Sequence, residues 1–263
     1  MKNKKLIIIG LVVLVVLTGG YFLLQKGKTA KEETPTQKKK LSLPTNIIHV
    51  EERPYLAIKP LADGRNLEIS AYSLVKEATS VEYELEYQAG TLLQGAFGEL
   101  NLTTLPATTK ILLGSCSAGG ACTYHEDVKG GSLLTRFIGG DEPYALKSDW
   151  KYIDNKAKET AFSSKDAKFQ IESKTLANQR YLIIFNTPGY PEKVPGTVVS
   201  EVYSLETSNN LTGQAELTIR ANEEGDLKIA GWDGSKWSTI EGTVDGKMIT
   251  ATVDLAPLYV VIK

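Results

Sequence analysis

A strict alternation of apolar and polar residues in the middle of the chain constrains its fold more than any other feature. In segment 81–87, Val81, Tyr83, Leu85 and Tyr87 alternate with three glutamates. Successive side chains of a β-strand point to opposite faces, whereas a helix repeats every 3.6 residues, so only a strand places these four residues on one side. The segment therefore predicts a strand with one buried and one solvated face.

The same two-residue period recurs beyond residue 47, together with apolar runs that fit strands buried on both faces. A helical period is nearly absent there. The polar, Lys-rich segment 154–166 is predicted to be a loop or a short helix. Alternation predicts strands at 67–72, 216–221 and 249–253, and continuous apolar runs predict strands at 180–185 and 258–262.

Turn signals separate the predicted strands. Asp-Gly pairs occur at 63–64, 233–234 and 245–246, and such pairs tolerate the positive φ of hairpin tips. Short strands separated by turns, without helices between them, are typical of antiparallel sandwiches and not of a parallel α/β sheet. We therefore predict a mainly β fold, an antiparallel β-sandwich.

A cluster of prolines indicates where this folded part divides. Pro188, Pro191 and Pro195 lie between two strand-rich halves, and proline lacks the N–H group that a central ladder needs. We expect a boundary near residue 190, with a β-sandwich domain at 45–190 and a second, smaller β domain at 191–263.

The amino-terminal part carries a long apolar run. Residues 6–24 contain no charged side chain, and a helix of about 20 residues crosses the ~30 Å hydrocarbon core of a bilayer. A cleaved signal peptide is the alternative, although its apolar region spans only ~7–15 residues. We predict an uncleaved, single-pass transmembrane helix that anchors the chain in the cell membrane.

The flanks of this run bear on its orientation. Residues 1–5 carry three lysines and residues 25–44 carry six, so the positive-inside rule alone favours the reverse orientation. A short amino tail before a long domain is nevertheless the usual signal-anchor arrangement. We expect a cytoplasmic tail at 1–5 and an extracytoplasmic carboxyl-terminal part. Segment 25–44 is too polar to fold and is predicted to be a flexible linker, either simply solvated or touching anionic headgroups through its lysines.

The net charge of −1 hides two opposite charges. Residues 1–40 hold nine Lys and two Glu, whereas residues 41–263 hold 21 basic and 29 acidic residues. Nucleic-acid-binding domains normally show a basic excess. The acidic balance of the folded part therefore argues against nucleic acid as a partner.

Cys116 and Cys122 are the only cysteines. An extracytoplasmic location permits a disulfide between them, which would close a seven-residue loop and contribute about 2 kcal/mol. Free thiols without a role are a second possibility. The third is a metal or catalytic site with His125 and Asp127, but the spacing matches no standard zinc pattern.

The remaining candidates are aromatic and acidic side chains. Trp150, Trp232 and Trp237 could contact a ligand such as carbohydrate, or could pack in the core and across the hairpin at Asp233-Gly234. The glutamates at 82, 84 and 86 form an acidic stripe along one strand face. Such a stripe is a solvated face or a device that discourages edge pairing.

The carboxyl-terminal stretch 231–240 reads GWDGSKWSTI, with strand-like segments at 249–253 and 258–261 after it. It resembles the closing hairpins of small β-sandwich modules in bacterial cell-surface proteins. The middle part, with the Cys116–Cys122 loop and segment 130–137, is similar to Ig-like domains of bacterial membrane-anchored proteins. This resemblance implies a module that presents a surface or acts as a spacer, and it implies no catalytic residues.

The sequence also lacks common catalytic signatures. It contains no G-x-S-x-G element, no Gly-rich phosphate loop between a strand and a helix, and no D-x-D-x-D-G calcium loop. We therefore expect a non-enzymatic, membrane-anchored extracytoplasmic β-sandwich protein without cofactor or metal. It would act as an interaction or structural module of a bacterial envelope. The alternative is an envelope protein that binds or hydrolyses glycans.

Overall fold

The computed structural model describes residues 42–263, and this part of the chain is built from β-strands and two short 3-10 helices, Val50–Glu52 and Lys174–Asn178. In chain order the strands are β1 (Tyr55–Pro60), β2 (Asn66–Ser73), β3 (Ser80–Ala89), β4 (Leu92–Asn101), β5 (Ala107–Leu112), β6 (Gly114–Cys116), β7 (Cys122–Tyr124), β8 (Val128–Ile138), β9 (Tyr144–Asp154), β10 (Ala161–Ser163), β11 (Phe169–Glu172), β12 (Tyr181–Phe185), β13 (Tyr203–Thr207), β14 (Gln214–Arg220), β15 (Lys228–Trp232), β16 (Trp237–Ile240), β17 (Thr243–Asp245), β18 (Met248–Asp254) and β19 (Leu258–Ile262).

The strands form one large sheet and three smaller ones. The large sheet has nine strands in the order β16-β15-β19-β13-β12-β9-β8-β3-β4. A three-stranded sheet has the order β1-β2-β5, a five-stranded sheet the order β10-β11-β14-β18-β17, and a hairpin joins β6 to β7. Neighbouring strands in these sheets run antiparallel, which confirms the mainly β, antiparallel prediction.

The predicted strands occur in the described part of the chain. β3 buries Val81, Tyr83, Leu85 and Tyr87 and turns its glutamates outward, as the alternation predicts. The Asp-Gly turns adopt positive φ at their glycines, and segment 154–166 holds a loop and the short strand β10 but no helix. β3 lies between β8 and β4, however, so its acidic stripe does not border an edge of the sheet.

The three-stranded sheet covers one face of the large sheet at the β3–β8–β9–β12 end and encloses a first core. Trp150 is fully buried there, and its indole Nε1 donates a hydrogen bond to the carbonyl oxygen of Glu86 at 3.3 Å. The rings of Phe137 and Tyr144 stack with centroids 4.6 Å apart. Aromatic side chains thus fill much of this core.

The five-stranded sheet covers the opposite face at the β12–β13–β19–β15 end and encloses a second core. The ring of Phe169 lies 5.2 Å from that of Tyr203 and 6.0 Å from that of Tyr259. A smaller apolar cluster around Val202, Trp232 and neighbouring side chains covers the other face of β15 and β19. The large sheet is therefore covered on different faces at its two ends.

β12 shows why continuous apolar runs are needed at the middle of the large sheet. Ile183 and Phe185 contribute to the first core, whereas Leu182 and Ile184 contribute to the second. Side chains alternate between faces, so a strand that serves two cores must be apolar at every position. This confirms that segment 180–185 is a strand buried on both faces.

The boundary predicted near residue 190 falls between β12 and β13, which are paired neighbours in the large sheet, with Leu182 opposite Thr207. Residues 43–263 form one compact unit. The second core also takes Phe162 and Phe169 from the chain before residue 190. The proline-rich segment is therefore a connection between adjacent strands of one sheet.

The predictions for the membrane segment concern residues 1–41, which lie outside the described residues. They include the tail at 1–5, the transmembrane helix at 6–24 and most of the linker at 25–44. Between residues 42 and 263, no helix is long and apolar enough to cross a bilayer.

Candidate functional site

The disulfide hairpin stands out because it belongs to none of the three cores. Cys116 and Cys122 face each other across β6 and β7 and are bonded to each other, which confirms the predicted disulfide. Every residue of β7 is exposed. Because both sulfur atoms are used in this bond, neither remains as a metal ligand or nucleophile.

Close approach at the base of the hairpin depends on glycine. A Cβ atom at Gly114 would lie 2.4 Å from the carbonyl oxygen of Thr123, so a larger residue would push the two strands apart. The backbone N–H of His125 then donates to the carbonyl oxygen of Leu113 at 2.9 Å, next to the end of β5. These contacts tie the hairpin to the three-stranded sheet.

An open groove with a volume of about 720 Å³ runs along the base of this hairpin. We call it the His125 groove, because it holds one of the chain's two histidines. Three parts of the chain line it: the β1–β2 turn, the segment after the disulfide, and the adjoining ends of β9 and β12. The lining residues are 63–65, 124–129, Tyr152, Asp154, Lys156 and Tyr181.

One wall of the groove is formed by Arg65, whose side chain stacks on the ring of Tyr124. The guanidinium of Arg65 lies 4.2 Å from the centre of the Tyr124 ring, within the range of a cation–π interaction. Asp63 holds the β1–β2 turn, because its carboxylate accepts hydrogen bonds from the backbone N–H groups of Arg65 and Asn66. Burial raises the pKa of Asp63, but these donors outweigh it and lower the pKa below its usual range.

His125 is held by a hydrogen bond to a buried phenol. Its Nδ1 atom and the Tyr87 hydroxyl lie 2.9 Å apart. The Tyr87 ring packs edge-on against Trp150, with centroids 6.3 Å apart. Burial raises the pKa of Tyr87, so its hydroxyl stays protonated. The imidazole is thus anchored to the first core while it borders the groove.

The floor of the groove consists of two stacked tyrosines. The rings of Tyr152 and Tyr181 lie 6.1 Å apart, and the hydroxyl of Tyr152 is 3.5 Å from the carbonyl oxygen of Gly64. A Cβ atom at Gly64, where φ is 64°, would lie 2.2 Å from the Tyr181 ring. Gly64 is therefore required both by the turn and by this contact.

Charges of both signs surround this floor. Asp154 forms ion pairs with Arg180 at 2.8 Å and with Lys156 at 3.0 Å. No serine, threonine or cysteine is among the residues that line the groove. The groove presents aromatic faces, hydrogen-bond donors and carboxylate acceptors.

The predicted ligand-contact tryptophans lie elsewhere. Trp150 is fully buried and Trp232 is 6% exposed, so neither offers appreciable surface to a ligand. Trp237 is half-buried, packs 5.5 Å from Trp232, and donates from Nε1 to the carbonyl oxygen of Glu192 at 3.3 Å. None of the three lines the His125 groove.

A half-buried carboxyl group lies outside the groove. Glu206 on β13 is opposite Ile183, a residue of the first core. Its pKa is raised to about 7, because burial disfavours the charged form; Lys59 opposes this shift and Glu68 adds to it. Glu206 is therefore a titratable group in the middle of the large sheet.

The sequence places His125 beside the disulfide but does not predict the residues that share the groove with it. Arg65 and Tyr181 are 116 residues apart in the chain, and only the folded topology brings them to one groove. The single local signal was the turn at Asp63-Gly64. Among residues 42–263, no group of three or more His, Cys, Asp or Glu side chains is placed to hold a metal ion.

Comparison with known proteins found no family model, no curated protein and no solved structure that matches this chain. The resemblance to Ig-like modules of membrane-anchored proteins therefore stays a prediction. Any functional conclusion has to come from the hairpin, the groove and the sheet edges.

Proposed function

We propose that the chain is a membrane-anchored, extracytoplasmic β-sandwich protein of the Ig-like kind, and that it acts as an interaction or structural module of a bacterial envelope. In this proposal residues 6–24 span the bilayer as a helix. The partner is an envelope protein or a glycan, and nucleic acid is not a partner. The observation that carries the proposal is the exposed, disulfide-closed hairpin beside the open His125 groove.

The disulfide supports the extracytoplasmic location. Cys116 and Cys122 are both exposed, and the glutathione and thioredoxin systems of the cytosol reduce accessible disulfides of this kind. Disulfides of this kind are typical of oxidising compartments and rare in the cytosol. An apolar run at 6–24 followed by a polar linker is the arrangement that delivers a folded domain to such a compartment.

The hairpin and groove support an interaction role. β7 is exposed throughout and contributes no side chain to a core, so it does little for folding. The groove volume lies within the ~300–1,000 Å³ of typical ligand sites, yet its rim is open and charged. A surface of this kind suits a polar, extended partner.

Tyr124 favours glycan binding as the second candidate function. Its ring is 39% exposed and is backed by Arg65 on one face. Aromatic faces next to carboxylates such as Asp63 and Asp127 are suited to sugars. A glycan partner would therefore use this tyrosine and not the tryptophans at 150 and 232.

The location is tested on intact cells that carry the full-length chain. Thiol alkylation without reduction should leave Cys116 and Cys122 unmodified, and external protease should cut within residues 25–44. Reactive thiols on both cysteines, or full protection from protease, would contradict the extracytoplasmic placement.

The interaction role is tested by chemical crosslinking in the same cells. The wild-type chain should form adducts with an envelope protein or cell-wall fragment, and R65A/Y124A should lose them. Val244, exposed on the five-stranded sheet, provides the matched control V244A. Adducts that persist in R65A/Y124A would show that the groove is not the binding surface.

A further inference from the structure

β4 is a long edge strand without a neighbour on one side. It ends the nine-stranded sheet and pairs only with β3, from Ala89 opposite Leu92 to Ser80 opposite Asn101. This ladder is regular and contains no bulge. An edge strand leaves a row of backbone N–H and C=O groups unpaired, which makes it a template for another strand.

The side chains of β4 do not protect this edge. Leu92 is 62% exposed, Leu93 is 67% exposed and Phe97 is 82% exposed. Proteins usually protect an edge with lysine, proline, a bulge or a very short strand. β4 has none of these, and Glu99 is its one charged residue.

The acidic stripe on β3 does not replace such protection. The Arg136 guanidinium pairs with the Glu84 carboxylate at 2.7 Å, and Ser132 donates to Glu86 at 3.2 Å. Both partners lie on β8, on the side of β3 away from β4. The carboxylates of Glu84 and Glu86 are therefore held towards β8, while Leu93 and Phe97 stay exposed on β4.

We propose that β4 pairs antiparallel with β4 of a second copy of this chain, about a two-fold axis that passes between the two Gly95 residues. The two nine-stranded sheets then continue into each other. In this register Leu93 of one copy lies opposite Phe97 of the other, and the reverse pair forms on the far side of the axis.

Self-complementarity argues for a second copy as the occupant. Leu93 and Phe97 lie on the same face, two positions on either side of Gly95, so one symmetric pairing brings both apolar contacts together. Gly95 leaves room between them because it carries no side chain. Residues directly opposite each other on one face have Cβ atoms about 4.5–5.5 Å apart, so the two apolar side chains of each pair pack against each other.

The charges are compatible with this register. Glu99 of one copy lies opposite Thr91 of the other, so no like charges face each other. On the other face Gln94 lies opposite Ala96 and Leu92 opposite Gly98.

Pairing of two single strands buries less surface than the ~800 Å² per partner of a standard interface. The dimer is therefore weak and reversible, and a covalent trap is the suitable probe. The native cysteines are bonded to each other, so an introduced cysteine is the one free thiol of the described residues. A Cβ atom at Gly95 meets only the carbonyl oxygen of Leu85 at 3.5 Å, an ordinary contact that folding tolerates.

The test oxidises full-length G95C in membranes and separates the products without reductant. Residues that face each other across a ladder have Cα atoms about 4.5–5.5 Å apart, within reach of a disulfide. We expect a dimer that disappears on reduction. S235C, in the exposed turn between β15 and β16, is the matched control and should stay monomeric.

Two further variants test the register. In the proposed pairing, the two copies of residue 93 lie four positions apart, about 13 Å, and so do the two copies of residue 97. L93C alone and F97C alone should stay monomeric, whereas their equal mixture should give a dimer. This pair also keeps the test decisive if G95C does not fold.

The proposal is overturned if neither G95C nor the L93C and F97C mixture gives a dimer, or if L93C alone dimerises as well as G95C. A crosslink from G95C to a different protein would show that another strand occupies the edge. Adding F97D to G95C should lower the dimer yield about tenfold, which corresponds to roughly 1.4 kcal/mol. V75D, at an exposed valine outside β4, should leave the yield unchanged.

Discussion

The two edges of the nine-stranded sheet end in different ways. β16 has four residues, and its apolar side chains pack into neighbouring cores, Trp237 into the small cluster and Ile240 into the second core. β4 has ten residues, and Phe97 and Leu93 extend into solvent. One edge is short and covered by side chains, whereas the other is long and bare.

The two edges therefore have different roles in this account: β16 contributes to packing, and β4 is the proposed surface for association. The ring of Trp237 lies 5.5 Å from that of Trp232 and 6.3 Å from that of Tyr190, so aromatic packing holds β16 against its neighbours. Nothing comparable covers β4 in the part of the chain that the structure describes. Changes at β16 should therefore affect folding, and changes at β4 should affect association.

The largest effect is expected next to the covered edge, where Trp232 of β15 packs against Trp237 of β16. W232A removes a buried indole and should lower the free energy of unfolding by about 3–5 kcal/mol, because a cavity opens in the small cluster. The matched change at the bare edge, F97A, should alter stability by about 0.5 kcal/mol or less. Urea unfolding of the full-length chain in detergent measures both values. Similar losses for the two variants would remove the distinction between the edges.

A smaller, pH-dependent effect is expected from Glu206, between the two edges. Its carboxyl has a pKa of about 7 in the folded chain, against 4.5 ordinarily. Below pH 4.5 both folded and unfolded states hold the proton, so the group does not affect stability. As the pH rises to about 7 the folded state keeps a proton that the unfolded state has lost, and stability falls by up to about 3 kcal/mol.

E206Q should therefore stabilise the chain at pH 8 by up to this amount and change it little at pH 4. Thermal unfolding at the two pH values measures the difference. E224Q, at an exposed glutamate, is the control and should show no such pH dependence. Equal effects of E206Q at both pH values would show that Glu206 does not titrate as described.

The disulfide should contribute about 2 kcal/mol or less, since it closes a short loop. C116S/C122S should lower stability by that amount and leave the three cores intact, because β6 and β7 belong to none of them. Near-ultraviolet circular dichroism together with urea unfolding checks this. Loss of tertiary signal in the variant would show that the hairpin supports the core.

Much of the fold follows from local pattern, and most of the site does not. The alternation at 81–87 and the apolar run at 180–185 each identify a strand, because burial on one face or two determines the composition of a strand. The domain boundary near residue 190 is predicted from a cluster of prolines alone, and the strands on either side of that cluster pair with each other in one sheet.

The groove and the bare edge depend on contacts between residues that are far apart in the chain, so they cannot be predicted from local sequence. Arg65 meets Tyr124 only because the hairpin folds back towards the β1–β2 turn, and no spacing in the sequence encodes that contact. Likewise the glutamates of β3 belong to an interior strand, and strand order is invisible in the sequence of a single strand. The alternation of residues therefore predicts on which face of β3 the glutamates lie, but it does not predict which strand forms the edge of the sheet.

The central claim is that the large sheet ends in a short, packed strand at β16 and in a long, exposed strand at β4, where a second copy pairs. Hydrogen–deuterium exchange of the full-length chain in detergent, at low and high protein concentration, tests it most directly. We expect amide protection in β4 to rise with concentration, while protection in β16 stays constant. Exchange in β4 that is independent of concentration would contradict the account.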